Sequence, residues 1–336
     1  MSPGERIRLA HGAGGHAMRA LIRSVFLERV TDAEALALDD GAAIPFGERW
    51  LVVTTDAHVV APLFFPGGDI GRLAISGVVN DLAMMGACDV IALTSSVIVE
   101  EGFEIERLSR VVASMRATCE EAGTRILAGD TKVMQKGEID GLVLSTSGIG
   151  ITDRVVRDSG LEPGDAIVIT GTVGDHGLAV LSARHALGLE GDLRSDVAPL
   201  NGLVRAALHA GGAAVHAMKD PTRGGVTSAL VEMAEKSGVA VVLEEAALPM
   251  SAPGRAAAEL LGIDPLSVAN EGKALLGVHP RALDAVLAAL RAHPLGARAA
   301  CVGRVTGGAA GTLVLDTGFG TRRLVERDDA PLPRIC

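Results

Sequence analysis

The chain has no tyrosine, one tryptophan and six phenylalanines, so aromatic side chains make up only 2% of it. Single-stranded nucleic acid is held by stacking bases on aromatic rings along a basic groove, and this sequence offers neither. Acidic residues outnumber basic ones, 41 to 31, for a formal charge of −10, and no basic stripe runs along any predicted helix. Nucleic-acid binding is excluded on both counts. The four cysteines, Cys88, Cys119, Cys301 and Cys336, stand far apart with no Cys-x-x-Cys pair. That spacing makes neither a disulfide framework nor a zinc ribbon. Cys88 and Cys119 sit in apolar helical surroundings and read as buried small hydrophobes. Also missing is any apolar run of membrane-spanning length, and Met1-Ser2-Pro3-Gly4-Glu5-Arg6 lacks the charged-then-apolar order of a signal peptide. A soluble, cytoplasmic protein is expected.

What is present is aliphatic. Hydrophobic residues make up 48% of the 336, nearly all of them Ala, Val, Leu and Ile, which suits sheets covered by helices. The length predicts two domains rather than one core. Strands and helices alternate in both halves, so each domain is expected to be α/β or α+β. The expected division is residues 1–153, residues 154–323 and a flexible C-terminal tail from 324 to 336.

Acidic residues recur at the ends and turns of the predicted elements. The loop His11-Gly12-Ala13-Gly14-Gly15-His16 precedes a helical pattern from Met18 to Val30. Backbone N–H groups of Gly12, Gly14 and Gly15 can converge there on an anion, although no Gly-Lys-Ser/Thr of a P-loop follows. Asp40 lies in Asp39-Asp40-Gly41, and the strand from Trp50 runs to a carboxylate at Asp56. Asp81 interrupts the otherwise apolar helix of residues 69–86, where an unpaired carboxylate is costly. The strand Arg125–Ala128 is expected to end at Gly129-Asp130-Thr131-Lys132. Such separate oxygen donors suit Mg²⁺, which keeps waters and bridges phosphates. Met218-Lys219-Asp220-Pro221-Thr222-Arg223-Gly224-Gly225 forms a second candidate anion or metal corner, and Asn270-Glu271-Gly272 precedes the strand 274–278.

The chain ends Ala330-Pro331-Leu332-Pro333-Arg334-Ile335-Cys336. Two prolines in three positions exclude helix and favour an extended arm, rising about 3.1 Å per residue and reaching roughly 30 Å from Arg327. A thiol at its tip is either incidental or the carrier of a substrate group.

These motifs together resemble the HypE family of hydrogenase maturation factors. That family sits in the wider superfamily of aminoimidazole ribonucleotide synthetase, selenophosphate synthetase and thiamine-monophosphate kinase. The resemblance rests on His11–Gly15, Asp39–Ala42, Thr54–His58, Asn80–Ala87, Gly129–Lys132, Asp220–Gly225, Asn270–Gly272 and the terminal Pro333-Arg334-Ile335-Cys336. It implies a two-domain PurM-like fold, a homodimer built through the N-terminal domains, and Mg²⁺ and ATP between the domains. It further implies a carbamoyl group placed on Cys336 by the carbamoyltransferase HypF and dehydrated to a thiocyanate. The cyanide then passes to iron on the HypC–HypD complex, for the [NiFe]-hydrogenase centre. In this reading Cys336 carries the group, Glu271 is the general base and Lys132 orients the amide or phosphate. Asp40, Asp56, Asp81 and Asp220 hold metal and phosphate, with Gly12, Gly14, Gly15, Asp130 and Asn270 at the nucleotide. A selenophosphate synthetase would carry a reactive Cys or selenocysteine and a Lys in the first Gly-rich loop, which here has His11 and no Cys. Two alternatives remain. One is a small-molecule ATP-dependent synthetase or kinase with Cys336 incidental, the other a scaffold whose tail docks a partner.

Overall fold

The computed structural model describes residues 6–12, 15–27, 37–187, 192–326 and 335. Gly14 and Cys336 lie outside the described residues. The first domain is built on a five-stranded sheet in the order β1-β2-β7-β5-β6. Its strands are β1 (Ala42–Phe46), β2 (Arg49–His58), β5 (Asp89–Glu100), β6 (Ile126–Met134) and β7 (Leu142–Thr152), with a short β3–β4 hairpin (Phe64–Phe65 and Gly68–Asp69) beside it. All neighbours run antiparallel except β5 and β6. Along β7 burial alternates residue by residue, the period-two signature of a central strand.

Helix α1 (Gly15–Leu21) continues as a π turn over Ile22–Leu27, so the expected helical stretch from Met18 is present up to Leu27. Helix α2 (Ile70–Met84) packs on β2 and β7. Asp69 caps it by accepting from the N–H groups of Gly71 and Arg72 at 2.7 and 3.0 Å. Every residue of α2 except Arg72 and Asp81 is buried, so a helix this apolar is held by the core rather than by propensity. The amphipathic α3 (Ile105–Ala122) covers α2 and stops at Gly123 in the left-handed conformation.

The second domain carries a seven-stranded sheet in the order β14-β13-β10-β12-β8-β11-β9. The strands are β8 (Ala166–Ile169), β9 (Val215–Lys219), β10 (Ala240–Glu244), β11 (Leu275–Val278), β12 (Ala300–Thr306), β13 (Thr312–Asp316) and β14 (Thr321–Leu324). Five helices cover it: α4 (Asp175–His185), α5 (Asn201–Gly211), α6 (Gly225–Ser237), α7 (Ala252–Leu261) and α8 (Leu283–Ala292). The sequence reading missed β1, β9, β12 and β14. It also stopped β6 too early: the strand runs through Gly129-Asp130-Thr131-Lys132 to Met134, because pairing with β5 outweighs the turn preference of Gly-Asp. Among the described residues no helix is long and apolar enough to cross a membrane.

Side chains of the first domain fasten the second by its backbone. Buried Asn80, on α2, donates to the carbonyls of Ala198 and Glu271 at 3.2 and 3.0 Å and accepts from Leu200 N–H at 2.7 Å. Arg72 donates to the Val197 carbonyl at 2.8 Å. In the reverse direction, Asn201 donates to the carbonyls of Cys88 and Ala122. Asn80→Ala leaves buried donors and acceptors unmet, which should cost about 2–4 kcal/mol. Thermal melts of the two proteins check this, and equal midpoints would show that the Asn80 clasp carries no weight.

Candidate active site

The clasp brings β2, α2, the end of β9 with the turn into α6, and the Asn270–Gly272 loop around one cleft of about 650 Å³. Gly15, Asp40, Asp56, Asp81, Asp220 and Glu271 all line it, so six of the residues singled out by sequence converge there. Gly12 is exposed and stands outside the lining. Asn270 is fully buried and acts as a pin: it accepts from Gly174 N–H at 2.7 Å and donates to the carbonyls of Pro221 and Val268. It holds Glu271 in place rather than facing the cleft. Asp130 and Lys132 lie in the middle of β6, opposite Ser96 and Ile98, on an exposed sheet edge away from the lining.

Two glycines let the parts approach. A Cβ on Gly77 would sit 2.8 Å from His58 Nε2, so only glycine on α2 leaves room for the Asp56–His58 pair, which lie 3.2 Å apart. A Cβ on Gly272 would sit 1.8 Å from the Asp196 carbonyl. Glycine there lets the Glu271 loop lie against residues 195–198, where Asp196 accepts from Glu271 N–H at 3.1 Å.

Like charges crowd the cleft. Burial raises Asp81 well above the ordinary carboxylate range, and repulsion from Asp220, Asp56 and Asp40 adds to it, against a bond from the Thr54 hydroxyl at 2.9 Å. Asp220 is pushed up to about 8, chiefly by burial and then by Asp40, with Lys219 opposing. Burial also raises Asp40, although Lys219 Nζ lies 2.5 Å away. Asp56 goes the other way: burial would raise it, but His58, Arg223 at 3.7 Å and the Ala57 N–H hold it below its ordinary value. Burial, then Asp220, Asp56 and Asp196, lift Glu271 well above its range, and its Oε1 is buried without a hydrogen-bond partner among the described residues. An unpartnered buried oxygen on the wall of a cleft is a group waiting for a ligand.

Beneath the cleft lies a charge network that sequence reasoning did not find. Lys219 also approaches Asp158 and Glu232, at 3.3 and 3.9 Å. Lys236 bonds Asp158 at 2.7 Å, Glu232 at 3.3 Å and the Leu38 carbonyl at 2.6 Å, while Arg157 pairs with Asp39 at 2.5 Å. The sequence showed Asp39-Asp40 and Lys219 only as parts of separate motifs, and Arg157-Asp158 only as charges following the first domain's last strand. Among the described residues no three His, Cys, Asp or Glu side chains converge closely enough to form a metal cage by themselves. The spread-out carboxylates, Asp81 and Asp220 raised first by burial and then by the charge of their neighbours, fit Mg²⁺ that keeps waters and shares phosphate oxygens.

The architecture is that of the AIR synthase related proteins. The model of their N-terminal domain matches residues 38–152, and that of their C-terminal domain matches residues 162–316. A carbamoyl dehydratase HypE of Rhizobium leguminosarum bv. viciae is 46% identical over 334 residues, covering 98% of this chain and 95% of the relative. A crystal structure of hydrogenase maturation protein HypE in complex with ATP superposes with a TM-score of 0.83 at 39% identity, covering 98% of this chain and 100% of the other. A HypE–HypF complex structure gives 0.86 at 41% identity, over 92% and 100%. This chain belongs to the HypE family of carbamoyl dehydratases.

The raised Asp220 has a consequence for stability. Between its ordinary value of 3.8 and about 8, the folded protein holds a proton there that the unfolded chain has lost. Stability without divalent cations therefore falls as pH rises through that window. Asp220→Asn should raise the melting temperature near pH 8 more than near pH 5, while weakening binding of Mg²⁺ and nucleotide. Melts at both pH values with EDTA check the first part; a variant no more stable near pH 8 than the parent contradicts it.

Proposed function

We propose that the protein dehydrates an S-carbamoyl group on Cys336 to a thiocyanate at the expense of ATP, in the cytoplasm, supplying the cyanide ligand of [NiFe]-hydrogenase iron. The observation that carries this reading is the position of Ile335, the residue before the terminal Cys. Its side chain is 4% exposed, and its carbonyl accepts from His176 Nε2 at 3.0 Å. His176 is bonded to Ser195, whose neighbour Asp196 accepts from the N–H of Glu271 at the cleft wall. Ile335 is thus seated against the body, beside the loop that holds Glu271, which supports an arm that returns to the cleft.

The chemistry asked of the residues is modest. The carbamoyl oxygen leaves as part of the phosphate that it receives from ATP, and the nitrogen gives up both its protons as the triple bond forms. Glu271, relieved of its own proton once bound cation neutralises the carboxylates around it, would accept one of those protons, and the departing phosphate would take the other. Asp40, Asp56, Asp81 and Asp220 would hold Mg²⁺, which when bound supplies neutralisation of phosphate charge. Arg223 and the N–H groups at Gly15, where α1 begins, orient anionic groups in the same cleft. Such catalysis is positioning and electrostatics.

A HypF-type carbamoyltransferase loads the thiol, and a HypC–HypD complex receives the cyanide. A second copy of the chain pairs through β6, whose residues from Ile126 to Val133 are all exposed, including Leu127 at 59% and Val133 at 64%. Asp130 and Lys132 belong to that shared interface and contribute to the nucleotide site from it. Leu127→Glu should convert the dimer to a monomer in sedimentation analysis, and a persisting dimer would move the interface elsewhere.

Mass spectrometry of the C-terminal peptide tests the activity. Carbamoylated protein given Mg²⁺ and ATP should lose the mass of one water from that peptide. Glu271→Gln should bind ATP as tightly but lose water at least about a hundredfold more slowly, the usual contribution of a general base. Cys336→Ala should accept no carbamoyl group. Retention of the full carbamoyl mass in the parent protein would refute the proposal.

A further inference from the structure

His176 stands at the N-terminal turn of α4, fully buried, and no step of the chemistry above uses it. Its two ring nitrogens face different partners. Nδ1 lies 2.8 Å from the Ser195 hydroxyl and Nε2 lies 3.0 Å from the Ile335 carbonyl. A carbonyl only accepts, so Nε2 carries the proton and Nδ1 is the acceptor. The hydroxyl of Ser195 must then donate to Nδ1, and its oxygen is left to accept the Val197 N–H at 3.1 Å. One direction of donation therefore runs from Val197 N–H through Ser195 and His176 to the end of the chain. Burial lowers the affinity of His176 for a second proton, in keeping with a neutral ring locked in one tautomer.

The rest of the setting is a socket. The Phe65 ring meets the His176 ring edge-on at 5.5 Å. Ile335 joins the buried apolar cluster that also contains Val60, Phe65, Val180, Val197 and Ala269. Ser195 is fixed from both sides: its N–H donates to the Pro66 carbonyl at 2.8 Å, and Asp196 beside it accepts from Glu271 N–H. The loop that sets the tautomer of His176 is therefore the loop that holds Glu271.

We infer that His176, oriented by Ser195, is the positioning residue that seats the C-terminal arm, with the apolar socket selecting a branched side chain at the penultimate place. The Ile335 carbonyl belongs to the peptide group that bears Cys336, so the His176 bond sets the plane from which the thiol departs. Among the described residues the seat is one hydrogen bond and one buried side chain, whose gain or loss biases the arm toward or away from the body. This inference rests on the reading of Cys336 as the carrier, but the seat has a readout that does not depend on dehydration.

That readout is the rate at which iodoacetamide alkylates Cys336 in the full chain, followed by the mass of the C-terminal peptide with no carbamoyl group or nucleotide present. Ile335→Ala, at the end of the chain and harmless to the fold of the body, should raise the alkylation rate about tenfold or more by emptying the socket. Ser195→Ala should raise it severalfold by freeing the tautomer, and His176→Ala about tenfold, with partial rescue in His176→Gln, whose amide can still donate to the carbonyl. In carbamoylated protein the same variants should lose water more slowly by similar factors, with ATP affinity unchanged. Alkylation at the parental rate in both Ile335→Ala and Ser195→Ala would overturn the seat. Faster alkylation in these variants, with no dehydration even in the parent protein, would keep the seat and reject the proposed activity instead.

Discussion

Mutual repulsion among buried carboxylates that share one cleft is the constraint to which the rest of the structure answers. Asp40, Asp56, Asp81, Asp220 and Glu271 would each be stable in water and are each costly here. The protein meets the cost differently at each position. Asp40 has Lys219, Asp56 has His58 and Arg223, and Asp81 has only the Thr54 hydroxyl. Asp220 has no partner strong enough to offset its burial and holds a proton, and burial with the neighbouring carboxylates favours the protonated form of Glu271 until a bound cation relieves that charge. Such a site is prepared for positive charge and for phosphate oxygens, and arrives at the reaction with its dipoles already aimed.

The same constraint explains the network below the cleft. Lys219 and Lys236 are shared among Asp39, Asp40, Asp158 and Glu232, so the cations that relieve the cleft are themselves anchored by buried Asp158 behind its wall. The members come from the loop before β1, from the connection between the two domains and from β9 and α6. Separating the domains would strand buried charges on both sides, which is far costlier than losing exposed ion pairs. Domain packing and active-site electrostatics are one arrangement, with Asn80 and the loop of residues 195–200 completing it.

In the proposed reaction, function at the end of the chain depends on this packing. A thiol on an arm is useful only if the arm returns to the same place, and the place is defined by α4, by the 195–198 loop and by the apolar cluster around Phe65. These elements are held by the contacts that position Glu271. A base fixed against the same loop as the seat keeps its relation to the arm without needing direct contact with it.

The sequence by itself determined the apolar helix α2 with Asp81 inside it, the amphipathic α3 and the identity of the acidic and Gly-rich motifs. These are local signals: a 3.6-residue period, a capping aspartate, or a carboxylate where only apolar residues belong. It also determined the family, because the motifs occur together and in order. It did not determine β9, β12 and β14, which are short, carry His, Gly or Arg, and exist as strands only because neighbours supply their ladders. Nor did it determine that β6 continues through Gly129-Asp130, carrying Lys132 to an exposed edge, or that Asn270 pins a loop while its neighbour Glu271 faces the cleft. The pairing of Lys219 with Asp40, the Arg157–Asp39 and Lys236–Asp158 bridges, and the bond from His176 to Ile335 join residues between 78 and 179 positions apart. Contacts of that separation leave no periodicity in the chain, because proximity in space rather than order in sequence decides which charges meet; only the tertiary structure could set them.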